Sequence, residues 1–133
     1  PPISTAEVDL LEDILKLRAR SPDALEHLRD LSVDLPAISH AVARMARRLD
    51  ALDQRGVDVS TLAFEASHGR TSMEYYDGFV FGFTAATRPD LPPVATGGRY
   101  DALTRVLGQG RSIPAVGGVI RPELTLHLHE ARA

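Results

Sequence analysis

The chain contains no cysteine, which excludes disulfides and thiolate chemistry and leaves a reducing compartment open to it. It has no excess of positive charge either. Its 15 Lys and Arg stand against 18 Asp and Glu, for a net charge of −3, so there is no electrostatic footprint for nucleic acid or an anionic membrane. No apolar run approaches the roughly 18 residues needed to cross a bilayer. The opening PPISTAEVDL lacks the basic flank and apolar stretch of a signal peptide, and a cytoplasmic location is expected. It also lacks an initiator methionine, which fits a fragment or a processed product. What is present is ordinary for a globular protein: 133 residues, 44% apolar and 25% charged, enough for a real core.

The pattern changes near Gly56. Before it, apolar residues recur at helical spacing; after it, alternation and glycine dominate. Residues 1–56 are therefore expected to form a helical segment and 57–133 an α+β segment. Ser4-Thr5-Ala6-Glu7 fits a capping box, followed by a stripe of Val8, Leu11 and Leu15 with Ile14 beside it. Ser21-Pro22-Asp23 predicts a second helix start with Ser21 as its cap, leading to Leu25, Leu28 and Leu31. The third and longest helix carries Ile38, Val42, Met45, Leu49 and Leu52, and Gly56 is its stop signal. Arg44, Arg47 and Arg48 lie mostly off that stripe. They read as a solvated face, with Asp50 and Asp53 nearby, rather than as an anion patch.

After Gly56, residues 57–64 predict a strand and Ser67-His68-Gly69-Arg70 a turn. YYDGFVFGFTAA, residues 75–86, has the clearest strand alternation. Tyr75, Asp77, Phe79, Phe81 and Phe83 project to one side, expected to face a core. Tyr76, Gly78, Val80, Gly82 and Thr84 project to the other. Mid-strand glycines mark either close approach of a ligand or a bulge or tight contact, and the second side reads as a shallow floor with Tyr76 at its rim. Residues 94–96 predict a short strand leading into Gly97-Gly98, at a strand-to-helix junction. A helix over 99–107 ends at Gly108, a last strand spans 113–120, and Arg121-Pro122-Glu123 opens a terminal helix or tail. At the junction glycine lets a small molecule touch the main chain. Arg99 offers a fork of donors for a carboxylate or phosphate, Tyr100 a flat wall with a polar tip. Asp101 is placed to cap the helix or to hold Arg99; a structural ion pair is the alternative role for that arginine.

Three segments appear in order: YYDG at 75–78, GGRYDAL at 97–103 and PAVGG at 114–118. Together they resemble the synthetase-like core shared by histidyl-tRNA synthetases and the non-catalytic regulatory subunits of ATP phosphoribosyltransferase. The first two are similar to the histidine-recognition signatures of that pair, the third to the strand of the last class II motif. The likeness covers residues 57–124, and the helical part before it resembles the insertion within the same core. The implied fold is α+β: part of a class II aminoacyl-tRNA synthetase-like antiparallel sheet core preceded by a helical segment. The implied histidine-binding residues are Tyr75, Tyr76, Gly97, Gly98, Arg99 and Tyr100, with Tyr75 or Tyr76 beside the imidazole and Arg99 and Tyr100 shaping or supporting the pocket.

The departures from the synthetase pattern select between the two relatives. Where the synthetase carries an arginine before the two tyrosines, this chain has Thr71, with Arg70 one residue early and in the wrong register. Where its strand ends in glutamate, this chain has Gly82. Where its final motif closes on an arginine that holds ATP, this chain has Leu124, with Pro122 interrupting. Without those cations little would neutralise a triphosphate. The resemblance thus implies a regulatory subunit with no catalytic residues, no cofactor and no metal. Its partners would be a short-form ATP phosphoribosyltransferase catalytic subunit and histidine as effector, in a homodimer within a hetero-oligomer, without membrane or nucleic acid. The alternative is a truncated or divergent synthetase that activates histidine with ATP. His127 and His129 share no face with a third ligand, so they read as tail rather than metal site, and Ser67-His68 reads as a turn.

Overall fold

The computed structural model describes residues 3–68 and 76–130. The chain divides into two compact units, Pro1–Ser67 and His68–Ala133. It is α+β, as expected.

The first unit opens with α1, Thr5–Lys16. Ser4 caps it in a true capping box: its hydroxyl accepts from the Glu7 amide while Glu7 returns to the Ser4 amide at 2.9 Å. The three-residue β1, Arg18–Arg20, pairs antiparallel with β2, Ala63–Glu65. Between them run α2, Ser21–Asp34, and α3, Ser39–Asp53. Their apolar stripes interlock: Ala24, Leu25 and Leu28 of α2 are buried with Val42, Met45 and Leu49 of α3. Helix α3 ends in a Schellman motif. Gly56, at φ +79°, sends its amide to Asp53, and Val57 sends its own to Leu52.

Two local expectations are corrected here. Ser21 does not cap α2 with its side chain. It is the helix's first residue, and its amide donates to the Leu62 carbonyl at 2.8 Å, so a long-range bond replaces the local one. The strand expected over 57–64 is a 3₁₀ turn at Val59–Thr61, followed by the short β2. Asp58 takes the Ser60 amide there, competing with an extended backbone. Nor are the arginines of α3 a uniformly solvated face. Arg47 is exposed, whereas Arg44 and Arg48 are half-buried, and burial, then Arg44, push the Arg48 guanidinium below its ordinary value.

The second unit is a three-stranded antiparallel sheet in the order β3-β4-β5: Val80–Phe83, Ala95–Arg99 and Val116–Ile120. Helix α4, Asp101–Leu107, leaves the end of β4, with Gly108 just past its last residue. Helix α5, Pro122–Glu130, follows β5. Pro122 starts α5, where a missing amide costs nothing, rather than interrupting an element.

The sheet corrects the strand bounds. The long strand expected over 75–86 keeps only Val80–Phe83, and Gly97-Gly98 lie inside the central strand instead of at a junction. The alternation holds, but the phenylalanine side is not a core. Phe81 is half-buried, Phe83 is 62% exposed, and Ile120 on the same face is 70% exposed. Among the described residues every buried apolar side chain belongs to the first unit.

Candidate functional site

The site grows from the register of β4 between its neighbours. Gly98 lies opposite Val80 on β3 and Gly117 on β5, so Gly98 and Gly117 share one face with Val80 and Gly82. Gly97 lies opposite Phe81 and Gly118 on the other face. The two glycines are demanded by contact rather than by unusual backbone angles. A Cβ on Gly98 would come within 2.7 Å of Cδ1 of Tyr76 and 2.9 Å of the Phe79 carbonyl. One on Gly97 would come within 2.3 Å of the Gly117 carbonyl and 2.4 Å of Cζ of Phe81. Each glycine therefore carries an aromatic ring against bare backbone, Tyr76 on one side of the sheet and Phe81 on the other.

Tyr100 completes the first side. Its Oη lies 2.8 Å from where a Cβ on Gly117 would stand. The Tyr76 and Tyr100 rings meet at 6.3 Å between centroids with their planes 48° apart, within the range of favourable aromatic pairs. The result is a glycine-backed sheet face that carries two tilted phenol rings. Such a surface suits a small flat group with polar edges.

A network of carboxylates fixes this geometry. The amide of Asp77 donates to the Arg99 carbonyl while the Arg99 amide donates to Phe79, so the chain leaves the strand line at Gly78. Asp77 then receives the first amides of α4, Asp101 N at 3.0 Å and Ala102 N at 2.7 Å. These are amides that a helix cannot satisfy internally. Asp101 holds Arg99 through Nε at 2.8 Å and Nη2 at 2.7 Å, and its other oxygen takes the Ala115 amide at 2.8 Å. Thr104 accepts the Ile113 amide. The segments before β3, after β4 and before β5 are thereby tied together around Tyr76 and Tyr100.

Of the residues expected at the site, Tyr76, Gly98 and Tyr100 converge on one face. Gly97 faces the opposite side, and Arg99 is engaged by Asp101 in an ion pair; of the two roles foreseen for Asp101, it holds the arginine, and Asp77 caps the helix. Tyr75 lies outside the described residues, as do Arg70 and Thr71. Asp77 was not foreseen, since a cap that acts across 24 residues leaves no local sequence signal. His68 was not foreseen either, although its ring lies against Gly82. Among the described residues no group of His, Asp or Glu is arranged to hold a metal ion, and no helix is long and apolar enough to cross a membrane.

A family model described as histidyl-tRNA synthetase matches residues 2–124. The chain belongs to the histidyl-tRNA synthetase family. Within reach of this family match are curated proteins named ATP phosphoribosyltransferase regulatory subunit. The one from Brucella canis is 34% identical over 116 residues, covering 84% of this chain and 30% of the relative. That from Agrobacterium fabrum is 36% identical over 110 residues, covering 82% and 28%. The chain thus spans under a third of the length of these relatives. No solved structure matches it. The YYDG segment precedes β3, and GGRYDAL spans the end of β4 and the start of α4.

Proposed function

We propose that the chain is part of a non-catalytic regulatory subunit of ATP phosphoribosyltransferase. In this reading it is cytoplasmic, dimeric within a hetero-oligomer, required for activity of a short-form catalytic subunit, and responsive to histidine. The observation that carries the reading is the paired aromatic wall itself: Tyr76 and Tyr100 standing on Gly98 and Gly117. Thr71 and Leu124 occupy two positions where the synthetase pattern has arginine. Arg121, just past the last strand, donates to the Pro93 carbonyl at 2.8 Å. The names carried by the relatives point the same way. Histidine would lay its imidazole on the glycine floor against Tyr76, with Arg99 and Asp101 supporting the wall that carries Tyr100. It shifts such an assembly only by binding one of its states better than another.

The family model, described as a synthetase, favours a second reading, histidine activation with ATP. The two separate cleanly with the full-length protein. Mixed with a short-form ATP phosphoribosyltransferase, it should raise turnover and impose inhibition by histidine. It should give no histidine-dependent exchange of pyrophosphate into ATP. Robust exchange, or a soluble pair without stimulated turnover, overturns the regulatory assignment.

A further inference from the structure

We propose that His68 is a third wall of the recess and contacts the bound ligand, acting as a specificity-determining residue. Register places Gly82 on the same face as Gly98 and Gly117, two residues along β3 from Val80, the partner of Gly98. A Cβ on Gly82 would come within 3.3 Å of Nε2 and 3.4 Å of Cε1 of His68, with Pro93 at 3.8 Å. The imidazole therefore rests on Gly82 as the Tyr76 ring rests on Gly98 and the Tyr100 hydroxyl on Gly117. Three glycines of one sheet face each carry a ring-bearing side chain.

Gly82 and Gly98 are diagonal neighbours across β3 and β4, stations roughly 7–8 Å apart. His68 and Tyr76 therefore stand over neighbouring stations of one sheet face. His68 is exposed, open to an entering molecule. An imidazole carries two ring nitrogens that can hydrogen-bond, complementary to another imidazole or to the polar groups of an amino acid. Phenol rings alone accept many flat ligands; an adjacent imidazole adds a directional hydrogen bond that a purely apolar ring cannot return. His68 has this role only if histidine is the ligand, as proposed for the recess.

Titration calorimetry of histidine into the full-length protein tests it. His68→Ala should weaken binding about tenfold, the loss of one hydrogen bond and one ring contact, and His68→Gln should recover part of that loss. Gly82→Ala presses on the His68 ring. It should weaken binding in the parent and add nothing further in the His68→Ala background. Parent-like affinity in His68→Ala, within about twofold, overturns the role of His68 and leaves the recess reading standing. Equal losses in the alanine and glutamine variants overturn the hydrogen bond. A parent protein that takes up no histidine overturns both readings.

Discussion

Gly97→Ala is the sharpest test of the sheet that carries the recess. The added Cβ would stand 2.3 Å from the Gly117 carbonyl and 2.4 Å from Cζ of Phe81, where ordinary contact begins at 3.4 Å. Phe81 can rotate away; the carbonyl belongs to the paired strand and cannot. Relief requires β4 and β5 to separate by about 1 Å, against an interstrand spacing of about 4.8 Å, which stretches the ladder bonds past useful length. Overpacking costs roughly 1–3 kcal/mol, and each weakened ladder bond roughly 0.5–1.5 kcal/mol. The reduced freedom of the unfolded chain returns only about 0.4–1 kcal/mol. The net loss is about 2–3 kcal/mol, which for a unit of this size lowers the midpoint of thermal unfolding by about 10–20 °C. The chain supplies its own reporter. Its three tyrosines, Tyr75, Tyr76 and Tyr100, all lie in the second unit, and there is no tryptophan, so tyrosine emission follows that unit alone. Gly118→Ala, whose nearest backbone contact is 3.0 Å, should lose less. A tyrosine-reported midpoint within about 2 °C of the parent for Gly97→Ala, or a larger loss for Gly118→Ala, refutes the steric reasoning.

Three further outcomes rest on the packing of the helices and the hydrogen bonds at their ends. Leu28→Ala should cost roughly 2–4 kcal/mol by opening a cavity between α2 and α3, seen as an earlier loss of ellipticity at 222 nm. Asp77→Ala removes the acceptor of two helix amides and should cost about 1–2 kcal/mol by tyrosine-monitored urea unfolding, with Asp77→Asn falling between it and the parent. Acid should fray α1. Hydrogen bonds from Ser4 hold the Glu7 carboxyl below its ordinary 4.5, and Lys16 does the same for Glu12. Because both folded values are depressed, their contribution is present above 4.5 and is lost as pH falls through the folded values. The Glu7→Gln/Glu12→Gln variant should lack that acid-linked loss of ellipticity below 4.5, and an unchanged loss would refute the assignment.

What the sequence disclosed was whatever depends on near neighbours along the chain. The capping box at Ser4, the alternating apolar stripe of α3 and the glycine stop at 56 each involve residues within five positions of one another, and all three stand in the structure. Ser21 has the local signature of a cap, but its amide is claimed by Leu62, 41 residues on. β1 offered no signal at all, being three residues of Arg-Ala-Arg with no room to alternate. The glycines of the site show the same limit. Gly97-Gly98 carries the sequence signature of a junction because adjacent glycines usually serve backbone freedom. Their actual requirement, imposed by rings and a carbonyl on adjacent strands, is visible only once strands are paired. Tyr76 was placed on the correct side of β3 because period-two alternation survives the departure at Gly78. The phenylalanine side was expected in a core on the strength of its apolarity alone, and no described residue buries Phe83.

The two parts of the candidate site differ in how tightly they are bound to the fold. Recognition surfaces made by rings on glycine backbone are inseparable from strand packing: enlarging Gly98 displaces Tyr76 and also strikes the Phe79 carbonyl. Loss of the floor would therefore damage the sheet itself. Cations that neutralise a nucleotide carry no such obligation. Leu124 sits half-buried on α5, and Arg121 already spends its guanidinium on a backbone carbonyl. An arginine that serves only a bound nucleotide can leave an exposed position at little cost to folding. A chain can thus shed phosphate chemistry while keeping a place for a flat ring, because stability guards the floor and only catalysis guards the charges. That asymmetry is the physical basis for reading a tyrosine-walled glycine floor as a sensor, and it predicts that substitutions at Gly98 impair folding and ligand uptake together.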